Sequence, residues 1–439
     1  MRRRIGLAAL LALAASHTHA DEKPPAPATE VQAGGEAGFT PAESPGVWGV
    51  RRSSPQLKDA DKDGFVLQSE DGAYKLKVGG YLQADGRFYL EDADKAGTDT
   101  FILRRVRPIL QGTVAKYFDF YVNTDFGGGT VVLQDAYLDA HYSPKLRVRA
   151  GKFKPPVGLE RLASGQALLF VERALPTALV PNRDVGVQLH GELAGGVLTY
   201  AGGLFNGVLD GGSADSDTND GKDLAGRVLL RPFNRGRGLA FKNLGLGLAA
   251  TTGKQAGGLP TYKSGGQLSF FAYATGVTAA GTRTRLSPQA AWSYKRVGLF
   301  GEWVRSAQDL RKSATSPVVR VGHRAWQAAL AIVLTGEDAA PGALRPKRVF
   351  EPGKGAGALE LAARVNGFDV EERTFTLGLA DRARSARKVR AWGLGLNWYL
   401  NRHVKQTVDY ERTRFTGGGA AGADRKTENA LFIRSQISF

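Results

Sequence analysis

From about residue 65 to its last residue, the chain alternates apolar positions with polar or small ones at a period of two. In 387–400 one set is Trp392, Leu394, Leu396, Trp398 and Leu400, and the interleaved set is Ala391, Gly393, Gly395, Asn397 and Tyr399. In 323–335, Trp326, Ala328, Leu330, Ile332 and Leu334 fall together. In the final stretch Leu431, Ile433, Ile437 and Phe439 oppose Phe432, Arg434, Gln436 and Ser438. Successive side chains of a strand point to opposite faces, so each stretch reads as a strand with one apolar face. The pattern predicts sixteen strands: 74–90, 100–115, 117–126, 131–142, 145–154, 185–193, 196–206, 222–232, 244–253, 283–294, 298–308, 323–335, 357–367, 387–400, 403–415 and 428–439. No convincing stretch of 3.6-residue period interrupts them.

The connectors mostly alternate short and long, as turns and loops do at the two rims of a membrane barrel; the long turn at 336–356 breaks the rule. An even strand count, tryptophans six positions apart on an apolar face and a terminal Phe439, which resembles a membrane insertion signal, favour a barrel over a soluble β-sandwich. The expected fold is all-β: a 16-stranded antiparallel transmembrane β-barrel over 65–439 with an inward-folded third external loop.

The N-terminus reads differently. Arg2, Arg3 and Arg4, an apolar run from Ile5 to Ser16 and the exit Thr18-His19-Ala20 form a signal peptide over 1–20. Residues 21–64 form a leader rich in Pro, Ala and Gly that cannot pack a core. Export to the outer membrane follows. No later apolar run is long enough for a spanning helix, which leaves strands as the route across a bilayer. The absence of cysteine excludes disulfides and thiolate metal sites. The formal charge of +17 calls for anionic partners. Export argues against nucleic acid among them, leaving small anions and lipid.

The stretch FILRRVRPIL (101–110) carries three arginines inside an apolar run. By parity Ile102, Val106, Pro108 and Leu110 face lipid, and Leu103, Arg105, Arg107 and Ile109 face inward. A charge facing lipid at the bilayer midplane costs about 2–4 kcal/mol, so arginines at depth belong in water. Arg104 falls on the wrong face and requires either an interfacial position or a bulge. Arg147, Arg149, Arg227, Arg231, Arg283 and Arg285 also face inward by parity, and Arg235 and Arg237 follow in a turn. Such rows make a cationic, anion-selecting lumen. The acids Asp135, Asp139 and Glu302 share that face. Each can order neighbouring arginines, and Asp139 could also accept from a protonated phosphate oxygen. Segment 155–184 has an apolar centre, Ala167–Val171, flanked by Arg161, Arg173 and Arg183, with Lys152 and Lys154 at its entrance. A connector so long and apolar is expected to fold into the barrel and narrow it.

Several stretches resemble one family: GGYLQADGRF (79–88), LRRVRPIL (103–110), LQDAYLD (133–139), GKFKPPVGLERL (151–162), FVERALPT (170–177), VPNRDVGVQLHGEL (180–193), RLSPQAAW (285–292), GLNWYLNRHVK (395–405) and VDYERT (408–413). In these the chain is similar to the phosphate-selective porins O and P of Gram-negative outer membranes. The resemblance implies a trimeric anion porin with wall and loop arginines at its narrow zone. In it Arg104 and Arg105 match the wall pair, Asp139 the acid and Arg173 the loop arginine. Arg227, Arg231, Arg235 and Arg237 look like part of a ladder toward the periplasm. The Pro/Ala-rich leader departs from relatives that carry a short coiled coil there.

The constriction is therefore expected at Arg104, Arg105, Arg107, Asp139, Lys152, Lys154, Arg161 and Arg173. The expected function is passive diffusion of inorganic phosphate, with pyrophosphate or polyphosphate as related cargo, through a homotrimer in outer-membrane lipid. The alternative is an adhesin or envelope-scaffolding barrel with a plugged lumen. Neither requires a cofactor or metal. DADKDGFVLQSE (59–70) places Asp59, Asp61, Asp63, Gly64 and Glu70 at the spacing of a calcium loop, but no amphipathic helix flanks it and it reads as a polar turn. Catalysis has no support: His141, His190, His323 and His403 lack metal spacing, Ser164 sits in no nucleophile elbow, and GKGAG (353–357) lacks the Ser or Thr of a phosphate loop.

Overall fold

The computed structural model describes residues 56–58, 65–90, 96–217, 219–236, 240–340 and 344–439. Among them sixteen long strands follow in order: β1 (Lys75–Tyr89), β2 (Thr100–Val114), β3 (Phe118–Asp125), β4 (Val132–Ser143), β5 (Leu146–Phe153), β6 (Asp184–Leu193), β7 (Leu198–Phe205) and β8 (Asp223–Leu230) make the first half. β9 (Gly245–Gly257), β10 (Thr278–Tyr294), β11 (Val297–Arg311), β12 (Val319–Val333), β13 (Ala358–Asp369), β14 (Ala386–Tyr399), β15 (Val404–Gly417) and β16 (Glu428–Ser438) make the second. Each pairs antiparallel with its chain neighbours, and β16 returns to β1 with Ser438 opposite Tyr81 and Ala430 opposite Tyr89. The sheet is closed, which removes its free edges.

The signal peptide, most of the leader and Asp59–Gly64 of the calcium-like loop lie outside the described residues. The end of the leader contains a short strand, Gln56–Lys58, paired with Phe65–Gln68, which in turn lies along Lys75–Val78 of β1. Because the C-terminal end of the chain meets β1 only from Gly80 onward, Phe65–Gln68 covers a backbone edge the barrel would leave unpaired.

The alternation sorts side chains as expected. β14 exposes Trp392, Leu394 and Leu396 and buries Asn397 and Tyr399. The apolar outer face suits hydrocarbon, which spares about 25 cal/mol per Å² of apolar surface from water. β9 and β10 extend beyond their predicted ends, pairing as far as Gly257 opposite Ala279. Those ends are rich in Gly, Ala and Thr and carry no hydrophobic signal to read. Inside, the connector after β9 forms a small hairpin, Tyr262–Lys263 with Ser269–Phe271, that the alternation did not predict. Its Tyr262 and Phe270 pack on Phe368 and Phe415 of the wall, and with Phe271 they join a buried cluster that extends to Phe153 and Phe205, so aromatic side chains fill part of the interior. The long turn between β12 and β13 also packs inward, with Ala339 and Leu344 against Val333, Ala358 and Tyr399.

Candidate functional site

The anomaly at Arg104 resolves as a bulge. On β1, Gln83 pairs with Arg105 and Ala84 with Leu103, so Arg104 is the extra residue of β2. Inside and outside exchange at this point. Phe101 and Leu103 are exposed on the outer face at 82% and 55%, which corrects the inward expectation for Leu103 and the lipid-facing one for Ile102. Arg104 and Arg105 can then both face inward, which unbroken alternation forbids. Arg104 donates from Nε and Nη2 to Glu172 at 2.7 and 3.1 Å.

Segment 154–183, between β5 and β6, contains short helical turns at Leu159–Leu162, Gly165–Ala167 and Leu175–Leu179. Its backbone is held by inward side chains of distant strands. Glu302 of β11 accepts from the Leu159 N–H at 2.7 Å and the Glu160 N–H at 3.3 Å. Gln83 of β1 donates to Gly165 O at 3.0 Å, Lys405 of β15 to Leu168 O at 2.8 Å and Asn397 of β14 to Leu169 O at 2.9 Å. Asp409 of β15 accepts from the Val171 N–H, and Arg364 of β13 donates to Glu172 O at 2.9 Å. These contacts set the segment against the inner wall far from the strands that launch it. Buried backbone groups need such partners, and an apolar segment brings few of its own.

Around it lies a group of cations served by neutral acceptors. Arg105 is buried and donates to Gln83 Oε1 at 2.6 Å. Arg161 donates to Asn182 Oδ1 at 3.1 Å and to Thr177 O. Arg173 donates to Glu160 O at 3.2 Å and Ala163 O at 2.8 Å, and Lys154 reaches the same Ala163 O at 2.8 Å. Among the described residues none of these four has a carboxylate oxygen within 4.0 Å. Burial pushes the loop guanidiniums below the ordinary arginine value, Arg161 to about 9 and Arg173 to about 10, with the charge of Arg183 adding in both and that of Arg173 adding for Arg161. Both remain charged at neutral pH, and both sit where an anion would relieve repulsion. A cavity of about 500 Å³ opens between Arg104, Arg105, Arg161, Arg173 and the neighbouring connectors, which bring Asp210 and Lys263. Asp210 is already paired with Arg285 at 2.7 Å.

The remaining candidates lie elsewhere or are neutralised. Arg107 donates to Asp125 at 2.8 Å and Tyr81 at 2.9 Å, and Lys152 is paired with Asp215. Asp139 accepts from Arg147 at 3.0 Å and from Arg149 at 2.9 and 2.6 Å, and His190 Nε2 lies 3.1 Å away. It pairs across from Asp119, which sits opposite Thr113, eight residues along β2 from Arg105. Asp139 therefore orders arginines toward the periplasmic rim and does not join the mouth. Arg227 donates to Gln289 Oε1 at 3.1 Å. Arg231 is exposed just past β8, and Arg235 donates to Ala194 O of the adjoining turn. Arg237 lies outside the described residues. Phe439 exchanges backbone hydrogen bonds with Gly80, both 3.0 Å, and its ring meets Phe65 with centroids 6.5 Å apart. Among the described residues no cluster of His, Asp and Glu could hold a metal.

Glu172, Lys263, Asp409 and Lys405 escaped the reading of the sequence. Asp409 and Lys405 carried a usable signal, since an apolar inward segment demands polar wall partners. Glu172 and Lys263 sit on connectors with no periodicity to place them.

The model of the family described as phosphate-selective porin O and P matches residues 76–439. Porin O of Pseudomonas aeruginosa is 24% identical over 399 residues, 80% of this chain and 86% of that protein. Among solved structures, the outer membrane channel DcaP of Acinetobacter baumannii superposes with a TM-score of 0.55 at 11% identity, covering 85% of this chain and 99% of that one. In-vitro folded OmpT, an outer membrane protein of Vibrio cholerae, gives 0.52 at 11% identity, covering 85% and 99%. A closed 16-strand barrel with these likenesses is an outer-membrane porin, and the chain belongs to the phosphate-selective porin O and P family.

Proposed function

We propose that this porin is an anion-selective diffusion channel for inorganic phosphate, with pyrophosphate and polyphosphate as related cargo. The observation that carries the reading is the group Arg105, Lys154, Arg161 and Arg173, buried or half-buried and lacking carboxylate partners, three of which line the cavity of about 500 Å³. An oxyanion entering that space exchanges hydration for charge-assisted hydrogen bonds, and the guanidinium fork offers two parallel donors to two phosphate oxygens. In this reading segment 154–183 narrows the lumen, and Arg227 and Arg231 continue the cationic path toward the periplasm. Passage is passive and requires no cofactor, metal or catalytic group. The working form is a homotrimer in outer-membrane lipid, which cross-linking of the detergent-extracted protein would reveal as a three-chain band.

Planar-bilayer recording tests the reading. A salt gradient should give an anion-selective reversal potential, and added phosphate should block the chloride current. A cation-selective potential would overturn it. The aromatic packing of Tyr262, Phe270, Phe271, Phe368 and Phe415 favours a second reading, a plugged scaffolding barrel. That reading requires membranes containing the protein to show no conductance at any voltage.

A further inference from the structure

Several arginines of β11, β12, β14 and β15 face away from the lumen. On β11 and β12, Arg305 and Arg324 share the outer face with Trp303 and Trp326 and stand directly opposite one another. On β14 and β15, Arg390 and Arg414 are also directly opposite, and Arg412 pairs across from Trp392 on the same face. Like charges placed directly opposite on neighbouring strands repel. Here the arrangement occurs twice within five strands. One carboxylate on β13 serves the group: Asp369 lies 3.7 Å from Arg324 and accepts from Arg390 at 2.6 Å. Among the described residues Arg305, Arg412 and Arg414 have no carboxylate within 4.0 Å, and the Arg412 Nε is buried without a hydrogen-bond partner.

Their height on the barrel identifies the surroundings. β11 and β15 run toward the rim that carries the long connectors, and β12 and β14 run away from it. Arg305, Arg324 and Arg390 therefore stand two residues beyond Trp303, Trp326 and Trp392 toward that rim. Outward tryptophans mark the boundary between hydrocarbon and headgroups. The arginines sit one step past it, at the level of lipid headgroups and outside the solvent of the lumen.

We propose that the outer face of β11–β15 is a docking site for a phosphorylated glycolipid headgroup of the outer leaflet. Phosphate between opposed guanidiniums removes their repulsion and takes up parallel donor pairs. The acyl chains then lie along the apolar surface beneath, where Leu394 is 56% exposed and Val365 48%. A zwitterionic headgroup brings its own cation and relieves nothing.

The test uses the full chain in detergent and native mass spectrometry with diphosphorylated lipid A, phosphatidylcholine or inorganic phosphate. Lipid A should remain bound to the wild type and be displaced by high salt, whereas equal concentrations of phosphatidylcholine should not remain. Inorganic phosphate should not displace lipid A at equimolar concentration, because it lacks the acyl chains. The variant R305Q/R324Q/R390Q/R414Q should retain lipid A at least tenfold less, a loss of about 1.4 kcal/mol or more. Its single-channel chloride conductance should match the wild type, showing that the barrel is folded. If the fourfold variant does not fold, R305Q and R414Q are compared singly, and each should lose part of the retention. Equal retention of phosphatidylcholine by the wild type, or undiminished lipid A on the folded variants, would overturn the proposal.

Discussion

Arg149 and Arg105 are both inward arginines on neighbouring parts of one wall, yet they occupy opposite electrical circumstances. Arg149 is spent on Asp139, at 2.9 and 2.6 Å, and stacks over the Tyr137 ring at 4.2 Å. Arg105 donates to a neutral glutamine oxygen and shares its cavity with Arg104, Arg161 and Arg173, and the loop acid that lines it, Glu172, is held by Arg104. The first arrangement stabilises the wall and leaves little field for a passing ion. The second leaves a guanidinium without a carboxylate partner, which in the proposed function a passing anion would meet. A count of inward arginines therefore overstates the proposed anion path, because Arg107, Arg283 and Arg285 also hold carboxylates.

Three substitutions press on that contrast. The largest effect is expected from Asp139→Ala. It leaves Arg147, Arg149 and His190 around a missing charge and should lower the stability of the barrel by about 3–5 kcal/mol, the usual cost of breaking a buried pair. The midpoint of unfolding in denaturant, followed by heat-modifiable gel mobility, reads this directly. Phosphate block at the mouth should barely move; a strong loss of block would place Asp139 at the selective zone after all. Arg105→Ala comes next. It removes one charge-assisted contact to the ion and should weaken phosphate block by about 1.5–3 kcal/mol with little change in unfolding. Arg227→Ala should do least, under about 1 kcal/mol in block, because this half-exposed site is more fully solvated. Lower conductance at small driving force is its expected signature. If Arg227→Ala outweighed Arg105→Ala, the selective zone would lie below segment 154–183.

Most of the barrel was legible because burial imposes a period of two wherever one face meets hydrocarbon and the other water. That is why β14 and β16 could be read residue by residue. Legibility failed where this constraint lapses. The Gly- and Ala-rich ends of β9 and β10 lie beyond the predicted hydrophobic stretches, and the Tyr262–Phe271 hairpin is too short to show a period. At Arg104 the pattern itself raised the alarm, since adjacent arginines in an apolar strand violate strict alternation. The bulge is one of two ways to satisfy it, and pairing with β1 selects that one.

The sequence by itself determined the barrel strands and most of their faces, because these depend on which side chains tolerate lipid, a property each residue carries locally. The tertiary structure decided which guanidiniums remain available. That choice depends on where Glu172, Asp139, Asp210 and Asp223 arrive in space, over sequence separations of up to 75 residues from the arginines they meet. Charge pairing acts across distances of a few ångströms and is indifferent to position along the chain, so parity announced the pairing of Asp139 with arginines of the next strand but not the distant ones of Glu172, Asp210 and Asp223.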